Sequence, residues 1–345
     1  MTPSVARGAK AGTPKKAGKA KKAGKAAPAK AAPIGTPGQT GSATPAPRKR
    51  GSRSAKVPAK KAVPANRSAS VKRGVARPPR AKRTSAARRD RLGSPNTGVL
   101  ITGGGSGIGR ETALALAEVG RAVAIWDLDA EGAEETATIC HERYGVAAPW
   151  SVVDVTDSAA VEVAVPKAAA AVGLLGGFVH AAGISGAMSV DFIDDALWDS
   201  TLNTNVRAAA MISKALLGPF AEAGPGSAVV LISSIEGLFG RAMLTAYCAS
   251  KGAVLGVMRS ISQRFAMEGF RVNAVCPGAV ATPMLAPAFE IPGFRESLEV
   301  RTPLQRVSTP DEIARPIRFL LSDEASFITG THLTIDGGLT SVTAI

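Results

Sequence analysis

Apolar residues recur along this chain in short runs, each closed by glycine, serine or an acid, and separated by stretches of helical period. Gly98–Thr102 reads GVLIT, a strand-length apolar run, and is followed by the glycine-rich stretch TGGGSGIG at Thr102–Gly109. Next, Ala113, Leu114, Leu116, Ala117 and Val119 fall on one face of a helix. Ala122–Trp126 (AVAIW) predicts a second strand, ending at Asp127. The alternation continues. Pro149–Val153, Gly177–His180, Ser227–Ile232 and Phe270–Val275 each predict a further strand, with helical stretches between them. Strands alternating with helices predict a parallel sheet covered on both sides. The expected fold is therefore α/β, a single doubly wound parallel sheet of about seven strands flanked by helices.

The first 95 residues show no such pattern. They hold 26 Lys or Arg and one acid, Asp90, a charge of +25, and contain no Phe, Trp or Tyr. Residues 96–345 hold 16 Lys or Arg and 26 acids, a charge of −10. The formal charge of +15 for all 345 residues hides that split. A segment of Lys, Ala, Pro, Gly and Ser buries too little apolar surface to offset the entropy of ordering it. The expected organisation is a disordered basic low-complexity tail over 1–95 and one folded domain over 96–345.

The tail repeats KKAGKA at Lys15–Ala20 and Lys21–Ala26, a composition that resembles the Lys/Ala/Pro-rich tails of linker histones. A flexible polycation binds polyanions by counterion release, without sequence preference, so non-specific nucleic acid is an expected partner. The same composition also fits a solubilising extension, a targeting peptide, a natural start near Arg91, or a segment that screens the acidic domain. Cys140, Cys248 and Cys276 form neither a disulfide pattern nor a zinc pattern. No metal site is expected, a reducing compartment fits, and the cytoplasm is the expected location. No apolar run approaches the length of a membrane span.

The chemistry lies at the strand ends. In TGGGSGIG, Gly103, Gly107 and Gly109 permit a tight turn and close approach of a pyrophosphate. Ser106 and Ile108 lie in the same turn, where the following helix offers N–H donors and a partial positive charge. Asp127 lies 18 residues after Gly109, where an acid accepts hydrogen bonds from ribose hydroxyls. It would also repel a 2′-phosphate, which favours NAD over NADP. Arg110 is expected to face solvent or an acid. Tyr247 and Lys251 share a helix face one turn apart, a spacing at which an ammonium favours the phenolate. Ser234, 13 residues before Tyr247, ends a strand and faces the same substrate oxygen.

With these motifs the sequence resembles the short-chain dehydrogenase/reductase family, over about Gly98 to Thr340. The resemblance includes DVTD (Asp154–Asp157), PGAVATPM (Pro277–Met284) and ITGTHLTIDGGLT (Ile328–Thr340). It implies a Rossmann-type domain and NAD(P)-dependent interconversion of a secondary alcohol and a ketone, with Tyr247 as general acid/base. Asn205 in NTNVR completes the catalytic set with Ser234, Tyr247 and Lys251, kinking a helix and holding a water linked to Lys251. The resemblance further implies cofactor contacts from Gly103, Ser106, Gly107, Ile108, Gly109, Asp127, Leu128, Asp154, Val155, Ala182, Gly183, Tyr247, Lys251, Pro277, Gly278, Val280 and Thr282.

One departure is clear. The family's Asn-Asn-Ala-Gly reads His180-Ala181-Ala182-Gly183 here. His180 is expected to be a buried, hydrogen-bonded structural residue. Residues Pro283 to about Gln305, with Met284, Leu285, Phe289 and Ile291, are expected to form a lid over an apolar or alicyclic substrate, facing a wall containing Leu238, Phe239 and Met243. Resemblance also suggests a homotetramer or dimer. The rival reading is a nucleic-acid-associated protein whose folded domain senses redox state or is inactive.

Overall fold

A computed structural model of the protein describes residues 95–342. The basic tail, and every expectation placed on residues 1–94, lies outside them. Among the described residues seven strands form one sheet: β1 (Gly98–Thr102), β2 (Val123–Asp127), β3 (Trp150–Val152), β4 (Leu175–His180), β5 (Ala228–Ile232), β6 (Arg271–Pro277) and β7 (His332–Ile335). Their order is β3-β2-β1-β4-β5-β6-β7, and every pairing is parallel. The expected doubly wound α/β sheet is what forms.

Between the strands run α1 (Gly107–Glu118), α2 (Ala130–Tyr144), α3 (Ser158–Val172), α4 (Asp195–Leu202), a π-helical turn (Asn203–Arg207), α5 (Ala208–Ala215), α6 (Leu217–Ala223), α7 (Thr245–Ala266), α8 (Ala286–Phe289), α9 (Phe294–Arg301) and α10 (Pro310–Leu320). The period of two along a strand divides the core into two layers. Leu100, Phe178 and Leu231 pack on one face with Val161, Ile212 and Val254 from α3, α5 and α7. Val99, Ile101, Val179 and Val230 pack on the other with Leu116 of α1 and Ile313 and Ile317 of α10. Each such side chain, fully buried, contributes about 2 kcal/mol. That is why β1 and β5 read as nearly continuous apolar runs.

The strands differ from the sequence reading at their ends. β3 has three residues, all exposed, because it is an edge strand. Pro149, expected in that strand, contributes only its carbonyl, which accepts from Ile125 N at 2.8 Å. β4 starts earlier than expected, at Leu175. The last carbonyls of α10 lack partners within the helix. Two buried arginines supply them: Arg271 donates to Leu320 O at 2.6 Å and Ser322 O at 3.0 Å, and Arg121 to Leu321 O at 2.9 Å. Burial pulls the Arg121 guanidinium down to about 10. These cations are structural and lie on the residues opening β6 and preceding β2. The ends that carry chemistry are the carboxyl ends, and the strand order reverses between β1 and β4, where a crevice opens.

Candidate functional site

The glycine turn follows β1. Gly103 and Gly107 adopt positive φ, +66° and +52°. A Cβ on Gly109 would stand 2.0 Å from Gly103 O, so no larger residue fits there. Ser106 precedes α1 without capping it through its side chain, and the first turn holds no acid. The opening N–H groups of α1 are thus left to an anion, the arrangement a pyrophosphate requires. Asp127, ending β2, is already oriented: Oδ2 accepts from Gly105 N at 2.8 Å and Oδ1 from Asp129 N at 3.1 Å. Arg110 is turned away, donating to Gly105 O at 2.9 Å and pairing with Glu135 at 2.6 Å.

The remaining expected cofactor residues lie around this turn. Asp154 accepts from Thr156 N at 2.8 Å, which shapes the loop after β3, and Val155 beside it is buried. Leu128 is exposed. A Cβ on Gly103 would meet Ala182 N at 2.6 Å, and one on Gly107 would meet the Thr282 methyl at 3.3 Å. Pro277 ends β6, and Gly278 N donates to Ile335 O at 2.9 Å. Val280 forms a bridge with Ser308 that carries Thr282 back to the glycine turn. These residues fit a dinucleotide: the cradle is glycine-lined, its N–H donors are uncapped, and its acid is held in place.

Gly183 joins this cradle to the second group. A Cβ there would stand 3.0 Å from Asn205 Oδ1 and 3.6 Å from Lys251 Nζ. Asn205 sits in the π-helical turn, so the expected kink is present. Its amide is buried, donating to Ile184 O at 3.0 Å and Ser250 Oγ at 2.9 Å and accepting from Ile184 N at 2.9 Å. Lys251 Nζ donates to Ile232 O, the last carbonyl of β5, at 2.8 Å, and lies 5.4 Å from the Tyr247 ring centroid. Burial pulls the Lys251 ammonium down to about 8. Ser234, two residues past β5, lies beside the Tyr247 phenol.

Here the structure corrects one expectation. The Tyr247 phenol sits above its ordinary value rather than below it. Burial is the largest cause and the Glu236 carboxylate the next, and the Ser234 hydrogen bond offsets them only in part. The Lys251 ammonium is directed at a strand carbonyl and at the ring face. Glu236 itself was not legible as a site residue. Its sequence signal is only an acid two residues beyond the strand-end serine.

His180 is buried, as expected, and bridges two elements. Thr102 Oγ1 accepts from Ala182 N at 3.3 Å and bonds His180 Nδ1 at 2.9 Å, and His180 Nε2 meets Thr204 O at 3.0 Å. The imidazole is therefore neutral, with its proton on Nε2. Burial, then the Lys251 charge, pulls it down to about 4 from 6.5. The unfolded chain takes up a proton near 6.5, so stability present above that pH is lost as pH falls toward 4, by about 3 kcal/mol in all. His180→Asn, which restores the amide of the resembled family, is expected to flatten this loss. Urea midpoints at about pH 7 and about pH 4.5 measure it. Equal acid sensitivity in both proteins would contradict the assignment.

The segment after Thr282 folds as α8 and α9. Arg295 pairs with Glu299 at 3.0 Å and stacks on Phe289, and Arg301 donates to Ser297 O at 2.8 Å. Neither arginine points to an anion site.

The profile of the family described as Enoyl-(Acyl carrier protein) reductase matches residues 103–340. The chain is 38% identical over 253 residues to the 2-(S)-hydroxypropyl-CoM dehydrogenase 3 of Xanthobacter autotrophicus, covering 72% of this chain and 98% of that protein. It is 39% identical over 246 residues to the cis-4-hydroxycyclohexanecarboxylate dehydrogenase of Sinomonas cyclohexanicum, covering 70% and 96%. The crystal structure of levodione reductase superimposes with a TM-score of 0.67 at 33% identity, over 71% of this chain and 98% of that one. With the fold, the glycine cradle and these relatives in agreement, the chain belongs to the short-chain dehydrogenase/reductase family, as an oxidoreductase that interconverts secondary alcohols and ketones.

Proposed function

We propose that residues 96–345 form an NAD-dependent dehydrogenase domain for apolar or alicyclic secondary alcohols, with Tyr247 moving the substrate's proton. One observation carries this reading: Ser234, Tyr247, Lys251 and Asn205 gather beside Gly183, where the glycine cradle ends. A nicotinamide cofactor held by the glycine cradle and Asp127 would supply the hydride chemistry. The chain's own residues handle the oxygen. Tyr247 exchanges its phenolic proton with the substrate oxygen, and Ser234 positions that oxygen. Lys251, held by Ile232 O, supplies positive charge under the phenol, and Asn205 links the site to solvent. Asp127 holds the ribose hydroxyls and disfavours a 2′-phosphate.

An apolar substrate follows from the rim, where Ile184, Leu238, Phe239, Met243, Met284 and Ile291 all carry exposed surface. Two relatives are named for oxidation or reduction of ring substrates, hydroxycyclohexanecarboxylate and levodione. A substrate panel of alicyclic and linear secondary alcohols with NAD and with NADP tests the reading. Turnover confined to polar linear alcohols, or to NADP, would overturn it. Exposed Phe327 and Leu333 on and beside edge strand β7 support the proposed homo-oligomer.

The charge division supports a second activity, non-specific nucleic-acid binding by residues 1–95. Without aromatic residues the segment has nothing to stack on bases, so contact with phosphates is the expected mode. The full chain should be retained on DNA at low salt and lose affinity about 10³-fold or more as salt rises from about 50 to 200 mM. A chain of residues 92–345 should not be retained at all. Equal retention of the two would refute it.

A further inference from the structure

Beside the proposed proton-transfer residues stands a carboxylate that their roles do not use. The Glu236 side chain is 13% exposed. Its Oε2 accepts the Ser234 hydroxyl, and its Oε1 accepts from Arg241 Nε at 3.1 Å. The Glu236 N–H also donates to Ser234 Oγ, at 3.2 Å. A hydroxyl has one proton to give. Ser234 gives it to Glu236 and accepts from the Glu236 N–H, so this one residue sets the direction of the hydroxyl. Ser234, Glu236 and Arg241 thus form one continuous row of polar contacts beside the Tyr247 phenol.

We propose that Glu236 is a positioning residue: it fixes the direction of the Ser234 hydroxyl and, as one half of an ion pair with Arg241, sets the charge that Tyr247 faces. This rests on the roles proposed above for Ser234 and Tyr247. The negative charge opposes formation of the phenolate, and Arg241 offsets it. The pair is partly shielded from water, where opposite charges separated from a third group by one hydroxyl still act on it strongly.

The other ionisable groups around the phenol are accounted for. Lys251, on the same helix, is committed to Ile232 O. Cys248, also on α7, lies 4.0 Å from Arg241 O. Cys276, on β6, is buried, and its thiol is pushed up by that burial. His180, on β4, is held neutral by Thr102 and Thr204. Asp191, in the segment before α4, accepts from Ser189 at 3.2 Å and lines an open recess of about 460 Å³ together with Arg241, Thr245 and Cys248. Glu236, paired with Arg241, is the charged group that touches Ser234.

The chain has two tyrosines, Tyr144 and Tyr247. Tyr144→Phe, at the end of α2 and away from the site, leaves Tyr247 as the sole phenol. The near-ultraviolet phenolate band then titrates Tyr247 alone, without need of a substrate. In that background Glu236→Gln should move the midpoint down by about one pH unit, and Arg241→Gln should move it up by a similar amount. The pH profile of kcat/KM, measured with NAD and the best alcohol of the substrate panel, should move in the same directions. Circular dichroism at each pH confines the comparison to folded protein.

Coincident midpoints for Glu236→Gln and the parent, or shifts of the same sign for both variants, would overturn the charge role. Glu236→Ala, which also releases the Ser234 hydroxyl, should lower kcat about tenfold below the Gln variant at each one's optimum pH. Equal kcat would overturn the positioning role. Turnover by Tyr247→Phe at the parent's rate would instead refute the underlying reading, whatever the titrations show.

Discussion

Tyr247→Phe is expected to lower kcat for any secondary alcohol by about 10³-fold, within the range a positioned general acid/base contributes. The substitution removes one hydroxyl and leaves the ring, its packing and the Lys251 ammonium 5.4 Å from its centroid in place. Cofactor affinity should therefore change little. That separation distinguishes loss of proton transfer from loss of the site. Titration calorimetry with NAD and initial rates on the same preparation measure both quantities. A variant that binds NAD normally and turns over at the parent's rate would show that another group moves the proton.

The second large effect concerns Asp127. Its two carboxylate oxygens are held by Gly105 N and Asp129 N, so the side chain is set before any cofactor arrives. Ribose hydroxyls donating to that carboxylate make charge-assisted hydrogen bonds, worth about 1.5–3 kcal/mol each. Asp127→Ser keeps an acceptor for Gly105 N and removes the charge. It should weaken NAD binding about 30-fold and relieve the repulsion of a 2′-phosphate. The preference between the two cofactors should shift toward NADP by about 10²-fold. Arg110 will not add to this, because it is already paired with Glu135. Parallel titrations with NAD and NADP give the ratio, and an unchanged ratio would contradict the assignment of Asp127.

How much of this was legible from residues alone follows the range of the forces involved. The strand, glycine turn, helix, strand and acid between Gly98 and Asp127 were readable because each step depends on near neighbours. The Tyr247–Lys251 spacing was readable for the same reason. Its electrostatic consequence was not. Whether the phenol rises or falls depends on burial and on Glu236, brought close by a turn with no periodic signal. His180 shows the same limit. Its burial was expected, but its partners lie 78 and 24 residues away, on β1 and the π-helical turn. The short, exposed β3 was over-extended because an edge strand has half the burial that creates an apolar run. The π-helical turn at Asn203–Arg207 has no local signature of its own, and only family resemblance placed Asn205 there.

The most direct test is reduction of NAD by this protein on alicyclic secondary alcohols, followed through the absorbance of the reduced cofactor, with Tyr247→Phe run alongside. The account predicts steady turnover by the parent chain, equal NAD binding by both proteins and turnover about 10³-fold slower by the variant. No turnover by the parent on any alcohol or ketone, together with no NAD or NADP binding by calorimetry, would contradict it.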